Sequence, residues 1–347
     1  MCDTTPLLST LATTRVGVKT GRDRLTVVAL HRGLDSIARY VTAPDAMRQG
    51  TLVFREVCPG GIIDRVCAHN TGTLPVLIAE GSTLVGGRQN RVATLSILVP
   101  PGEEISTPVR CVEHGRWSLP ITSHCTGPHA DHLLRRALHS PDRNDSSVPS
   151  EREQRNVWSH VSHSLQSTHT SSATQAYHDL FDTLGAPQDP CRHFACPKDA
   201  TGIAVLIDGS VAALDMFDQT NTLSSLWPAL MDGYMVGARL CSQSVVEEED
   251  VHCFIQHCAD ATMSADAGPG WGTHMRLASS NVVGSALVWN NVMIHLSLFP
   301  APALTSGSES VSLKMKRRSW WQFWRRGCYA AGFWRDGAWP FRKDKSP

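Results

Sequence analysis

The sequence predicts an α+β protein, with an antiparallel β-rich, sandwich-like amino-terminal lobe followed by a mixed α/β carboxy-terminal lobe. Three observations carry this reading. Short β-branched runs separated by Gly, Pro and Asn turn chemistry recur from Leu25 to Val112. Helical periodicity enters at Glu151, and a hairpin signal, Asp208-Gly209-Ser210, then stands between two apolar runs.

Taken in order, residues 1–22 show no periodic pattern and read as a disordered segment. A first lobe spans 23–125. It opens with the strand Leu25–Leu30, continues through a short helix over Tyr40–Arg48 that Thr42 or Asp45 can cap, and reaches a strand at Leu52–Val57. After the Gly60-Gly61 turn, strands follow at Ile62–Ala68, Leu74–Ala79, Val92–Val99 and Ile105–Val112. Pro100-Pro101-Gly102 joins the last two as a pair. Residues 126–150 turn polar and read as a loop or linker.

The second lobe spans 151–300. Ser150 and Glu153 form a capping box, and Val157, Val161 and Leu165 recur at helical spacing, so a helix is predicted over Glu151–Leu165. Another is expected over Thr174–Leu184. Ile203–Ile207 and Val211–Phe217 form the hairpin. Thr220 or Asn221 caps a helix through Leu240, with Leu223, Leu226, Trp227, Leu230 and Tyr234 on its apolar side. A short helix at Val251–Cys258 and strands at Met275–Ala278, Val282–Trp289 and Val292–Leu298 close the lobe, with Asn290-Asn291 turning between the last two.

Composition narrows the class. At 347 residues, 41% hydrophobic and 18% charged, with no apolar run of membrane-helix length, the body reads as globular and cytoplasmic. Its eleven irregularly spaced cysteines read as reduced thiols. The net charge of zero hides a division: from Lys314 onward ten Lys and Arg face two Asp, a net of +8, so the remainder carries −8. Five of the ten tryptophans lie among those basic residues, so 301–347 reads as a disordered basic, Trp-rich tail, with 314–347 the one part suited to a membrane surface. The acidic body is a poor partner for nucleic acid. Oligomeric state is not legible. No Walker loop, dinucleotide fingerprint or nucleophile elbow is present, and no cofactor is named by a motif. Cys191, Cys196, His252 and His257 lack zinc spacing, so no metal is assigned.

The densest signal is Gly86–Arg91 (GGRQNR) with Cys111–Trp117 (CVEHGRW), the two ends of a stretch rich in turns and polar side chains. Together with Tyr40–Val57, Gly202–Asp218 and Val292–Pro300, these segments resemble the family associated with ADP-ribosylglycohydrolase and rhodanese-phosphatase proteins (ARPP-1, DUF6569-type), over roughly residues 22–300. The resemblance brings no established activity. Its name implies, by genomic neighbourhood, a small anionic ligand derived from ADP-ribose or a nucleotide.

From the residues themselves, Gln89, Asn90, Arg91, Arg116 and Trp117 are the expected ligand-binding set: forked donors for phosphate or carboxylate, amides for orientation, an indole to stack. Glu80 and Glu113 are the carboxylates that a hydrolase or transferase would use as acid, base or metal ligands. Structural ion pairing of Glu113 with Arg91 or Arg116 is the competing reading, as is a non-catalytic interaction scaffold. Strand parity puts Cys111 with Val109 in the sheet interior.

Overall fold

Backbone pairing sorts the strands into an eight-stranded sheet, a closed six-stranded barrel and a small three-stranded sheet. The computed structural model describes residues 3–33, 35–58, 60–117, 123–139, 151–184, 194–242, 248–266 and 268–302. Those up to Val57 and from Gly61 to Pro302 belong to one compact unit. In chain order the first half contains α1 (Thr5–Thr13), β1 (Arg15–Arg22), β2 (Leu25–His31), β3 (Val41–Thr42), α2 (Ala43–Arg48), β4 (Leu52–Glu56), β5 (Arg65–Asn70), β6 (Val76–Ile78), β7 (Ser82–Gly86), β8 (Arg91–Ala93), β9 (Ile97–Val99), β10 (Glu104–Cys111), β11 (Ser123–His129) and α3 (His132–Leu138). The second half contains α4 (Glu151–Ser167), α5 (Asp179–Thr183), β12 (Gly202–Ile207), β13 (Ser210–Phe217), α6 (Thr220–Leu240), α7 (Val251–Ala259), β14 (Thr262–Asp266), β15 (Thr273–Ala278), β16 (Val282–Trp289) and β17 (Val292–Pro300).

The large sheet runs β1-β2-β12-β13-β17-β16-β15-β14 and is antiparallel throughout. It is covered on both faces, which explains its nearly continuous apolar strands. On one face Leu25, Val27, Ala29, Ile203, Val205 and Ile207 pack with Leu223, Trp227 and Leu230 of α6. The alternate residues Val28, Leu30, Ala204 and Leu206 pack on the other face with Leu7 and Leu11 of α1 and Phe254 and Ile255 of α7.

Several expectations need correction. Residues 5–22 form α1 and β1, and β1 pairs along β2; its exposed, polar side chains left no periodicity to read. Leu25–His31, expected in the amino-terminal lobe, belongs to the large sheet with the carboxy-terminal strands. The expected strand Val92–Val99 is two: β8 lies in the barrel and β9 in the small sheet β3-β6-β9. Pro100-Pro101-Gly102 therefore joins strands of different sheets. β11 continues to His129 and α3 follows at His132–Leu138, where a loop was expected from 126 onward. In place of a helix over Thr174–Leu184 there is the short α5. Ser150, residues 140–149 and the tail from 303 onward lie outside the described residues.

Caps follow the sequence in part. Thr42 accepts from Asp45 N at the start of α2, and Asp250 accepts from His252 N at the start of α7. At α6 neither Thr220 nor Asn221 is the cap; a distant residue, Asp35, accepts from Thr220 N. No helix among the described residues is long and apolar enough to cross a membrane.

Candidate functional site

In a barrel, alternate residues of each strand face inward, and residues paired across neighbouring strands share a face. Leu52, Phe54, Val66, Ala68, Leu84, Ala93 and Val109 form the apolar barrel interior. Following the same parity, Arg91 is paired with Leu84 and Cys111, His124 with Phe54, and Glu56 with Val66, so all four of these polar side chains also point inward. Val92 and Val112 point outward, onto Leu134 and Val157 of α3 and α4. The barrel thus carries an apolar floor and, at one end, a layer of polar groups.

Arg91 is the focus of that layer. It is fully buried. Its Nη1 donates to Gln89 Oε1 at 3.2 Å, whereas Nε and Nη2 have no hydrogen-bond partner. These two N–H groups lie along one edge of the guanidinium, the pair that grips both oxygens of a carboxylate or phosphate. Trp117, partly buried, lies across this end: its ring centroid is 5.7 Å from Arg91 Cζ and 5.5 Å from Arg88 Cζ. Glu56 accepts from Arg88 N at 2.8 Å through Oε1 and leaves Oε2 unpartnered. His124 Nε2 lies 3.9 Å from Glu56 Oε1.

The double glycine of the motif makes this closeness possible. Gly87 has φ +53°, a conformation L side chains rarely adopt, and a Cβ there would meet His124 Nε2 at 2.1 Å.

Glu113 ties the two motif ends together. Its Oε1 accepts from Arg116 Nε at 2.8 Å and Thr174 Oγ1 at 2.7 Å, and its Oε2 accepts from Arg116 Nη2 at 2.7 Å and Asn90 N at 3.0 Å. Arg116 also donates to Gly87 O and to Asn90 Oδ1. Burial disfavours the Glu113 carboxylate, but these donors outweigh it and hold its pKa below the usual carboxylate value. Cys111 Sγ donates to Gln89 Oε1 and Glu113 O, both at 2.9 Å, and burial pushes the thiol up.

Glu80 belongs to a separate network that joins the barrel's neighbourhood to the large sheet. Its Oε2 accepts from Arg135 Nε at 3.1 Å, Arg135 Nη2 at 2.9 Å and Ser297 Oγ at 3.0 Å. Arg135 spans to Asp215, donating from Nη1 at 2.9 Å and Nη2 at 2.7 Å, and Tyr234 Oη also donates to Asp215. His139 and His295 stand at 3.7 and 3.6 Å from Glu80 and Asp215. Burial works against ionisation, yet Arg135 prevails: Glu80 is held down to about 2 and Asp215 well below its ordinary value.

The structure therefore brings Gln89, Asn90, Arg91, Glu113, Arg116 and Trp117 together. Glu80 is not among them: its side-chain partners and those of Glu113 share no residue. Sequence reasoning missed Glu56 and His124 at the barrel end. Parity in LVFRE, with Leu52 and Phe54 inward, was the available signal for Glu56. It also missed Arg135, which no local pattern announces. Among the described residues no group of three or more His, Cys, Asp or Glu is placed to hold a metal ion. Cys191 lies outside them.

No curated protein and no solved structure matches the chain. A family model does match, over residues 13–299, and takes in β1 through all but the last residue of β17 with both halves of the barrel-end site. The chain belongs to the ARPP-1 family, described as the ARG and Rhodanese-Phosphatase-superfamily-associated Protein domain.

Proposed function

We propose that this chain is a binding module for a small oxyanion, taken at the barrel end by Arg91 with Trp117 beside it. The observation that carries the reading is the Arg91 guanidinium: fully buried, anchored through Nη1, and left with the Nε and Nη2 donors unpartnered. A buried donor without an acceptor costs about 1–3 kcal/mol, more when charged, so an anion that fills this edge recovers a cost the fold otherwise carries. Gln89 positions Arg91, whereas Asn90, Glu113 and Arg116 shape the loop. Nucleotide-derived anions, ADP-ribose among them, suit the pairing of a forked cation with an exposed part of an indole.

A hydrolase using Glu80 and Glu113 finds less support. Both Glu113 oxygens are occupied by donors, Glu80 is locked against Arg135, and the two carboxylates have no partner in common. We read both as structural anions. The deciding experiment is isothermal titration calorimetry with ADP-ribose, AMP and inorganic phosphate against the wild type and Arg91→Lys. A lysine keeps the charge and loses the fork, so binding is expected to weaken at least about tenfold, or ~1.4 kcal/mol. Equal binding by Arg91→Lys, or none by the wild type, refutes the reading.

A further inference from the structure

Arg91 does not stand alone among unpartnered groups. Glu56 Oε2 and Thr107 Oγ1 also make no hydrogen bond, and both ring nitrogens of His124 lack one of normal geometry, leaving only a weaker contact to the Gln89 backbone; all are buried. Their places on the strands put them all on the inward face of the barrel. Glu56 and Thr107 both pair with Val66, one from each side, so they occupy one row around the barrel wall. His124 lies within 3.9 Å of Glu56 and pairs with Phe54 on the same inward face. The barrel end therefore offers three kinds of group: a forked cationic donor, a carboxylate acceptor, and an imidazole and hydroxyl able to donate and accept.

Resting on the oxyanion reading, we infer that the ligand is a hydroxylated oxyanion: a phosphate or carboxylate on Arg91, with one or more neutral hydroxyls on Glu56, His124 and Thr107. A bare anion would satisfy Arg91 and bring its charge toward Glu56 without supplying a donor. A ligand with a hydroxyl nearby answers both. The hydroxyl is favoured over an ammonium by the local field. Burial first, and then the positive charges of Arg91 and Arg116, lower His124 to about 4 against a smaller opposing effect of the Gln89 backbone, so a cation is unwelcome where His124 sits. A neutral ring next to a carboxylate matches an O–H that gives one hydrogen bond and receives another.

Two isosteric series test this by calorimetry on the full chain. Propyl phosphate, 2-hydroxyethyl phosphate and phosphoethanolamine vary the group beside a phosphate; propionate, lactate and alanine do the same beside a carboxylate. In the series whose anion fits, the hydroxylated member is expected to bind at least about tenfold tighter than the bare and ammonium members. Glu56→Gln, with its fold verified by circular dichroism, is expected to abolish that preference while leaving the bare anion's affinity equal or higher. If the bare anion binds as tightly as the hydroxylated one and Arg91→Lys weakens both, the oxyanion reading survives and this inference is overturned. If the ammonium member binds tightest, the assignment of a neutral donor is overturned. If no member binds, both readings fall.

Discussion

Arg135→Met is the perturbation that most directly tests how the molecule is held together. Arg135 makes five hydrogen bonds, two to Glu80, two to Asp215 and one to Tyr234. Methionine fills much of the volume and supplies none of them, leaving two fully buried carboxylates side by side. Removing one member of a buried ionic group costs roughly 3–5 kcal/mol, because the remaining charge is uncompensated. That is a large share of the ~5–15 kcal/mol that stabilises an ordinary domain. The pH dependence gives a second handle. In the wild type Glu80 is depressed from 4.5 to about 2, so its contribution, on the order of 3 kcal/mol, is present above pH 4.5 and lost as pH falls toward 2. In Arg135→Met burial and mutual repulsion outweigh what Ser297, Tyr234, His139 and His295 still supply and raise both carboxylates, so the variant gains stability as pH falls from 7 toward 4. The two proteins should therefore show a wide gap at pH 7 that narrows in acid. Urea unfolding followed by circular dichroism between pH 4 and 8 measures it. The triple variant Glu80→Gln, Asp215→Asn, Arg135→Met, which carries no charge to strand, should recover most of the loss. A loss under about 1 kcal/mol, a gap that does not narrow in acid, or a triple variant no better than the single one would refute the reasoning.

Three other outcomes are expected. Gly87→Ala forces a Cβ to 2.1 Å from His124 Nε2 at φ +53°, and should cost roughly 1–3 kcal/mol in urea unfolding, against no more than about 1 kcal/mol for alanine at Gly33, where no heavy atom lies within 4 Å. Asp232, partly buried with Oδ1 unpartnered, is pushed up to about 6 by burial, so the charged form destabilises the fold above that pH; Asp232→Asn should stabilise at pH 7.5 by up to about 1 kcal/mol after allowing for solvent screening, a gain that fades as pH falls from 6 to 4. With a thiol reagent under native conditions, the exposed Cys58, Cys125 and Cys253 should react quickly, while the buried Cys111 and Cys258 react only after denaturant is added.

What was legible in the sequence was what is encoded locally. Asp208-Gly209, with both residues at positive φ, marked the β12–β13 hairpin, and Asn290-Asn291 marked the β16–β17 turn in the same way. Apolar spacing located α4, α6 and α7 to within a residue or two. The proximity of Gly86–Arg91 to Cys111–Trp117 was also readable, but its cause was not. They meet because β8 pairs with β10 and Glu113 clamps the loop, not because they end a hairpin. Sheet membership was the main loss: nothing in LTVVALH tells whether it pairs nearby or with a strand from the far end of the chain. The Glu80 network was invisible for the same reason, since Asp215 and Ser297 reach it from β13 and β17. A charge buried by long-range pairing leaves no spacing rule behind.

The order of strands in the large sheet sets a timetable for biosynthesis. Leu25 pairs with Ile207, and β13 then needs β17, which ends at Pro300. The barrel strands, by contrast, all lie between Leu52 and His129. A nascent chain has the complete set of barrel strands outside the ribosome while β2, with β1 on one side, still lacks β12 on the other, and a slow stage of synthesis leaves an apolar strand waiting with one open edge. Truncation anywhere before β17 leaves that sheet unfinished, so premature termination products of this chain should be recognised by chaperones and proteases and should not persist as half-domains.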